Sequence, residues 1–313
     1  MKVEVKPIKT SGLKQRRRRL GTFIGLKKEK ITSLCFVLPA LVLLIVFWIY
    51  PMLHALVLSF QKYNLLNGSS TFVGLENYQS LFSDKEFFKS LIHSFYFAVI
   101  VIPIQTAIAL GLALLIKNKI RGIGIFRAIY FLPVAVSFAV ASTIFKLIYN
   151  KNYGLLNSLL VSLGIHPIDF LSNPNLAMIG IIILCIWKAV GFFMLVFLAG
   201  LNNIPDELYE AAQIDGANAL QKFIYITMPM LKRTTAFVVI ITTIDAFKVF
   251  VPMYITTDGG GPAGSTENLV LFIYEAAFRL LNIGYAAAAA CIFFIIVLII
   301  SIIQLKYFRA DTD

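Results

Sequence analysis

Six stretches of mostly apolar residues, at 31–58, 91–116, 123–148, 176–201, 235–255 and 285–307, dominate this chain. Each reaches the roughly 20 residues that a helix needs to cross the hydrocarbon core of a bilayer. Lipid offers no partner to a backbone N–H or C=O, so runs of this length satisfy their own polar groups as helices. The pattern therefore predicts an all-α membrane protein with six transmembrane helices. Hydrophobic residues make up 59% of the 313 residues and charged ones 14%, where a soluble domain holds about half and about a quarter. One integral domain at 31–307 accounts for nearly the whole length, with no room for a separate soluble enzyme.

The charges give the orientation. Residues 1–30 carry eleven Lys or Arg against Glu4 and Glu29. Further cations sit at Lys117, Lys119, Arg121 and Arg127, and at Lys306 and Arg309. With an even number of spans these positions share one face, which the positive-inside rule makes cytoplasmic. Both termini are then cytoplasmic, as a basic tail at 1–30 and a short tail at 308–313. Arg16 to Arg19 also fit an RNA-binding arm or an anionic-lipid site. A solvated topology signal is the plainer reading, and no nucleic-acid partner is expected. The first apolar run is too long for a cleaved signal peptide.

The opposite face receives residues 59–90, 149–175 and 256–284, where Lys62, Lys85 and Lys89 are balanced by Glu76, Asp84 and Glu86. Turn chemistry recurs there, as in Asn173-Pro174 and Gly259-Gly260-Gly261-Pro262. Trp48, Tyr50, Tyr63, Tyr149 and Tyr254 cluster near span ends, as interfacial aromatics do. Cys35, Cys185 and Cys291 fall inside apolar runs and read as small buried hydrophobes. His54, His93 and His166 have no metal-ligand spacing, and no metal site is expected. Pro39, Pro51, Pro103 and Pro133 break or kink spans. The small residues Ala286 to Ala290 let the last span approach another helix closely.

Between the fourth and fifth spans lies a polar, helix-prone segment, 202–229. Asn203 is a candidate N-cap, followed by Pro205, Asp206 and Glu207 in a first helical turn, where carboxylates meet the positive end of the helix dipole. Leu208, Ala211, Ala212 and Asp215 share one small, apolar edge, Gly216 suits a helix end, and a second short helix is expected over 217–226. Two short helices at an angle on a membrane face form a rigid knob suited to force transfer.

Glu210-Ala211-Ala212, Gly216, Ile226 and Met228-Pro229, at their spacing, resemble the EAA loop of ABC importer permeases, with Met228 where that family usually has Leu. Tyr50-Pro51, Phe72-Val73-Gly74-Leu75-Glu76-Asn77-Tyr78, Gly154-Leu155-Leu156-Asn157, Ile204-Pro205-Asp206-Glu207 and Thr257-Asp258-Gly259-Gly260-Gly261-Pro262 are similar to its carbohydrate branch of maltose, oligosaccharide and glycerol-3-phosphate permeases, first-permease type. The resemblance implies a type I ABC importer permease in a bacterial or archaeal cell membrane. It implies a second permease, two ABC ATPase subunits or domains, an extracytoplasmic solute-binding protein and a sugar substrate. Glu210, Ala211, Ala212, Asp215 and Gly216 would contact the ATPase. The chain itself has no Gly-x-x-x-x-Gly-Lys-Ser/Thr loop, so ATP and Mg belong to the partner and this chain is a translocation subunit, not an enzyme, with no cofactor of its own.

Lys188, Asp245 and Lys248 lie within spans, where a charge costs about 2.5–3.5 kcal/mol on insertion scales and usually faces a cavity or a partner. Asp245, Lys248 and Pro252 share one helical face, and Leu184, Lys188, Gly191 and Leu195 another. Either stripe could line a path. The resemblance places sugar contacts around Trp187, Lys188, Gly191 and Phe192, and around Asp245, Phe247, Lys248 and Val249. Asp245 and Lys248 could equally pair with each other across one turn. A secondary carrier, for which the inverted repeats are not evident, and an ABC permease for a non-carbohydrate solute are the competing readings.

Overall fold

The computed structural model describes residues 33, 35–63, 68–117 and 122–309, with the backbone alone at Arg309. The basic tail, Lys119, Arg121 and 310–313 lie outside the described residues. The chain divides into two units, up to Val57 and from Leu58 onward.

The first unit contributes most of one apolar helix, α1 (Cys35–Leu58). Within it a π turn runs over Ile45–Ile49, with the Tyr50 N–H bonded to the Ile45 carbonyl. Pro51 follows at once. Proline has no N–H and its ring crowds the carbonyl four residues back, and the wider turn lets the helix pass it without breaking. Cys35 is exposed rather than buried. His54 stacks on Tyr50 one turn away, with ring centroids 5.9 Å apart.

The second unit opens with a hairpin, β1 (Gln61–Tyr63) and β2 (Ser70–Phe72), which adds a small antiparallel sheet to the expected all-helical fold. Then follow α2 (Glu76–Ser83), α3 (Lys85–Lys117), α4 (Ile123–Ala135), α5 (Phe138–Ile148), α6 (Leu155–Ser162), α7 (Pro174–Asn202), α8 (Asp206–Ile214), α9 (Ala219–Met230), α10 (Lys232–Lys248), α11 (Val251–Thr256), α12 (Leu269–Tyr274) and α13 (Ile283–Arg309). Among the described residues four helices, α1, α3, α7 and α13, are long and apolar enough to cross a membrane singly. The pairs α4–α5 and α9–α10 pass together but bend by 100° and 68°, and bring the number to six if each is one span.

Helices α3 and α7 form the centre. On α3 Phe97, Val101, Gln105, Ala109 and Ala113 recur every fourth residue and are all buried, a stripe that one helical face presents to a neighbour. Against it α7 buries Ile181, Leu184, Phe193, Met194, Phe197 and Leu201. Alanines at 109 and 113 bring the backbones close, and van der Waals packing of this kind holds helices together where lipid is as apolar as leucine. Cys185 is buried here, as expected of a small hydrophobe. Ala286 to Ala289 on α13 are buried too, so the small-residue run packs on protein.

Two of the expected uninterrupted spans are broken. The run 123–148 bends at Val136–Ser137, and the run 235–255 ends its first helix at Lys248. Pro103 is carried inside an unbroken helix, whereas Pro133 stands three residues before the first bend, its carbonyl accepting from Val136 N–H. Asn203 is the C-cap of α7 rather than an N-cap, because Pro205 is the residue from which α8 starts. The second short helix runs on to Met230, past a π turn at Phe223–Thr227 that precedes Pro229 as the turn in α1 precedes Pro51.

Candidate functional site

The two breaks shape a common cavity. After Lys248 the backbone leaves the helix at Val249 (φ −59°, ψ 127°) and Phe250 (φ −134°, ψ −59°) before α11 resumes. The Val249 carbonyl, left without a helical partner, accepts from the side-chain amide of Asn268 at 2.5 Å. The other end of that amide accepts from Leu271 N–H at 3.0 Å and caps α12. At the other break Val136 is extended and Ser137 caps α5, its hydroxyl accepting from Val140 N–H at 3.3 Å. Both breaks line a cavity.

The cavity, about 390 Å³, is bounded by Val134 and Phe138 at the first break, by Phe97, Val101 and Gln105 of α3, by Cys185, Lys188, Ala189, Phe192 and Phe193 of α7, and by Thr242 to Pro252 in part. Apolar rings and a few polar groups converge, the composition typical of a small-molecule site. The Lys188 ammonium stands 4.4 Å from the centre of the Phe138 ring, a cation–π contact. Gln105 is buried and donates weakly to Thr242, at 3.5 Å.

Of the residues expected on the path, Lys188, Phe192, Asp245, Lys248 and Val249 are brought together on this wall. No ion pair joins Asp245 to Lys248 among the described residues, and both reach the cavity. Trp187, Gly191 and Phe247 lie elsewhere. The Trp187 ring packs on Phe145 at 5.1 Å. Phe247 is 2% exposed in the core, edge-on to Phe95 at 5.3 Å. At Gly191 an added Cβ would fall 1.9 Å from the Tyr130 carbonyl oxygen, so this glycine is where α7 meets α4. The sequence reading missed Phe138, Phe250, Gln105 and Thr242. Ser137, a good N-cap residue inside an apolar run, was the available sign of the break beside Phe138.

Asn268 is fully buried, and leucine there would leave the Val249 carbonyl and the Leu271 N–H without their partner. The expected cost of Asn268→Leu is about 1–3 kcal/mol for each group left unsatisfied. It is measured as a lower unfolding midpoint in detergent, and a wild-type midpoint would show that the amide does not hold the break.

Beyond the break, the glycine-rich run builds a turn. Gly261 has φ +73°, and an added Cβ would meet the Thr266 hydroxyl at 2.8 Å. That hydroxyl pairs with Thr257 at 2.7 Å. Lys89 donates to the Ala263 carbonyl at 2.8 Å and His93 bonds to the Glu267 carbonyl at 2.9 Å, while an ion pair joins Lys146 of α5 to Asp258. Burial, with Glu275 and Glu86 adding repulsion, pushes the Glu267 carboxyl up to about 7, so the turn carries less negative charge at neutral pH than its composition suggests.

The knob is α8 and α9. Gly216, with φ +77°, ends α8: its N–H bonds to the Gln213 carbonyl and that of Ala217 to Ala212 at 2.8 Å, a left-handed helix end for which glycine is best suited. Asn218 and Gln221 form a reciprocal capping box that starts α9. Tyr209 of α8 bonds to Thr227 of α9 at 2.9 Å, and the Lys117 ammonium at the end of α3 stands 4.0 Å over the Tyr209 ring. Ile204, Tyr209 and Ile226 pack into the core beside α3 and α7. The two helices are therefore tied to each other and to the long helices. Glu210, Ala211, Asp215 and Gly216 are exposed, Ala212 is half-buried, and Leu208 and Ile214 add exposed apolar surface, Ile214 at 87%.

The family described as binding-protein-dependent transport system inner membrane component matches residues 82–309. The probable ABC transporter permease protein YurN of Bacillus subtilis is 37% identical, over 91% of this chain and 99% of its own. The trehalose/maltose transport system permease protein MalF of Thermococcus litoralis is 35% identical over 97% and 98%. Among solved structures, a bacterial ABC transporter involved in import of the acidic polysaccharide alginate has the same fold, with a TM-score of 0.82 at 21% identity, over 93% of this chain and 99% of that one.

Proposed function

Because this chain belongs to the family of binding-protein-dependent transport system inner membrane components, we propose that it is one of two permeases forming the path for a sugar or oligosaccharide in an ATP-driven importer. Each bent helix pair counts as one span, giving six spans with both termini cytoplasmic and the knob on the same side. Helix α8 is the coupling helix: one of two ATPase subunits or domains grips Glu210, Ala211, Ala212, Asp215 and Gly216, and closure of the two on ATP moves the knob. A second permease completes the cavity, and an extracytoplasmic binding protein delivers the solute to it.

The observation that carries this reading is the knob itself. Its inner side is fastened through Tyr209 to Thr227 and Lys117, while Glu210, Ala211, Asp215 and Gly216 of the proposed contact remain exposed and Ala212 is half-buried. A push on such a body moves α3, α7 and α10 instead of deforming a loop. The cavity supplies the other half: aromatic Phe138 and Phe192 for the apolar face of a sugar ring, and Asp245, Lys188 and Lys248 for its hydroxyls. The name of the relative MalF supports a saccharide as the solute.

Purification tests the assembly. Drawn from its native membrane in mild detergent, the chain is expected to bring with it a second permease and an ABC ATPase. In proteoliposomes the assembly is expected to accumulate a saccharide only when binding protein and ATP are supplied. Saccharide accumulation by the chain alone, driven by an ion gradient, would establish a secondary carrier instead.

A further inference from the structure

Lys188 stands at the midpoint of α7 (Pro174–Asn202), 14 residues from either end, or about 21 Å at the helical rise. No lysine stem spans that distance to reach an interface. Its charge must be met locally, at a depth where an uncompensated ammonium is costly. Among the described residues no carboxylate pairs with it, and the Phe138 ring at 4.4 Å is its one cation–π partner. The remaining charges of the cavity, Asp245 and Lys248, stand three residues apart on α10 and offset one another. The wall is left with one net positive charge, placed beside an aromatic ring and facing open space.

We propose that Lys188 receives an anionic group of the solute, and that the solute is a saccharide bearing a carboxylate, sulfonate or phosphate. This deepens the sugar-permease reading and rests on it. The ring of Phe138 holds the ammonium on the cavity side of the first break. A lysine stem can lie along apolar surface while its head keeps three donors for an acceptor. A neutral sugar offers hydroxyls to such a head, whereas an anion also cancels its charge, and a charge-assisted hydrogen bond is about twice as strong as a neutral one.

The test uses the complete transporter with its binding protein in proteoliposomes. Its probes are neutral trisaccharides such as maltotriose and uronic acid trisaccharides such as trigalacturonate. Uptake of an acidic probe is expected, at least tenfold lower in Lys188→Gln and largely retained in Lys188→Arg, with melting of both variants unchanged. Transport of neutral saccharides alone would overturn the anionic assignment and leave the sugar permease standing. So would acidic uptake that Lys188→Gln leaves intact. A loss in Lys188→Gln that is equal for every solute, with a weakened pair of permeases, would make Lys188 a contact to the second permease and overturn the proposal. Transport of no saccharide at all would remove the sugar reading and this inference together.

Discussion

Alanine at Gly191 is expected to cost on the order of 3 kcal/mol and to lower the yield of folded protein sharply, while alanine at Gly111 is expected to be neutral or slightly stabilising. Both glycines lie inside long helices, α7 and α3. At Gly111 an added Cβ meets nothing within 4 Å; at Gly191 it falls 1.9 Å from the Tyr130 carbonyl oxygen and 2.7 Å from the carbonyl carbon. These are backbone atoms, so no rotamer change relieves the clash, and α4 must move away from α7. Because α5, whose Phe138 faces Lys188 of α7, follows directly on α4, the displacement also opens the cavity. Thermal unfolding of the two variants in detergent decides the matter. A Gly191→Ala protein that melts like the wild type would show that the helices are not in contact there.

Arginine at Ala211 is expected to reduce uptake more than tenfold without changing melting. Ala211 is exposed on α8, so the folded chain has space for the longer side chain, whereas a proposed socket shaped around alanine does not. By contrast Gly216→Val should strain the end of α8, since a β-branched residue at φ +77° costs roughly 1–2 kcal/mol, and a reduced melting temperature would accompany its loss of uptake. The pair separates contact from shape. If Ala211→Arg transports at the wild-type rate, α8 is an ordinary surface helix.

The spans were legible because the bilayer sets their length. Segments expected at 91–116, 176–201 and 285–307 are the cores of α3, α7 and α13. The bends were not, because hydropathy averages over them: Val134, Ala135, Val136 and Phe138 continue the apolar run straight through the first break. At the second, Val249, Phe250 and Val251 do the same, and the residue that stabilises the turned backbone, Asn268, lies 19 residues further on. Pairing at that separation leaves no local mark.

The cavity was legible where charge was the signal. Lys188, Asp245 and Lys248 stand out in apolar runs and all reach it. Trp187 and Phe247 each precede a cavity lysine by one residue, and a step of one residue turns the side chain by about 100° around a helix. Trp187 therefore packs on Phe145, and Phe247 in the core. In the knob, composition marked both helices, but Asn203 and Pro205 compete as starting points. The chain ends α7 at Asn203 and takes Pro205, whose missing N–H suits the start of α8.

The account depends on the knob facing the cytoplasm, where an ATPase reaches it. In a chain with Cys35, Cys185 and Cys291 replaced, cysteine introduced at the exposed Ile214 of α8 reports its side directly through a membrane-impermeant maleimide. Labelling of inside-out vesicles but not of right-side-out ones, and protection once the ATPase is bound, is the predicted result. Labelling from the outer face of intact cells would contradict it.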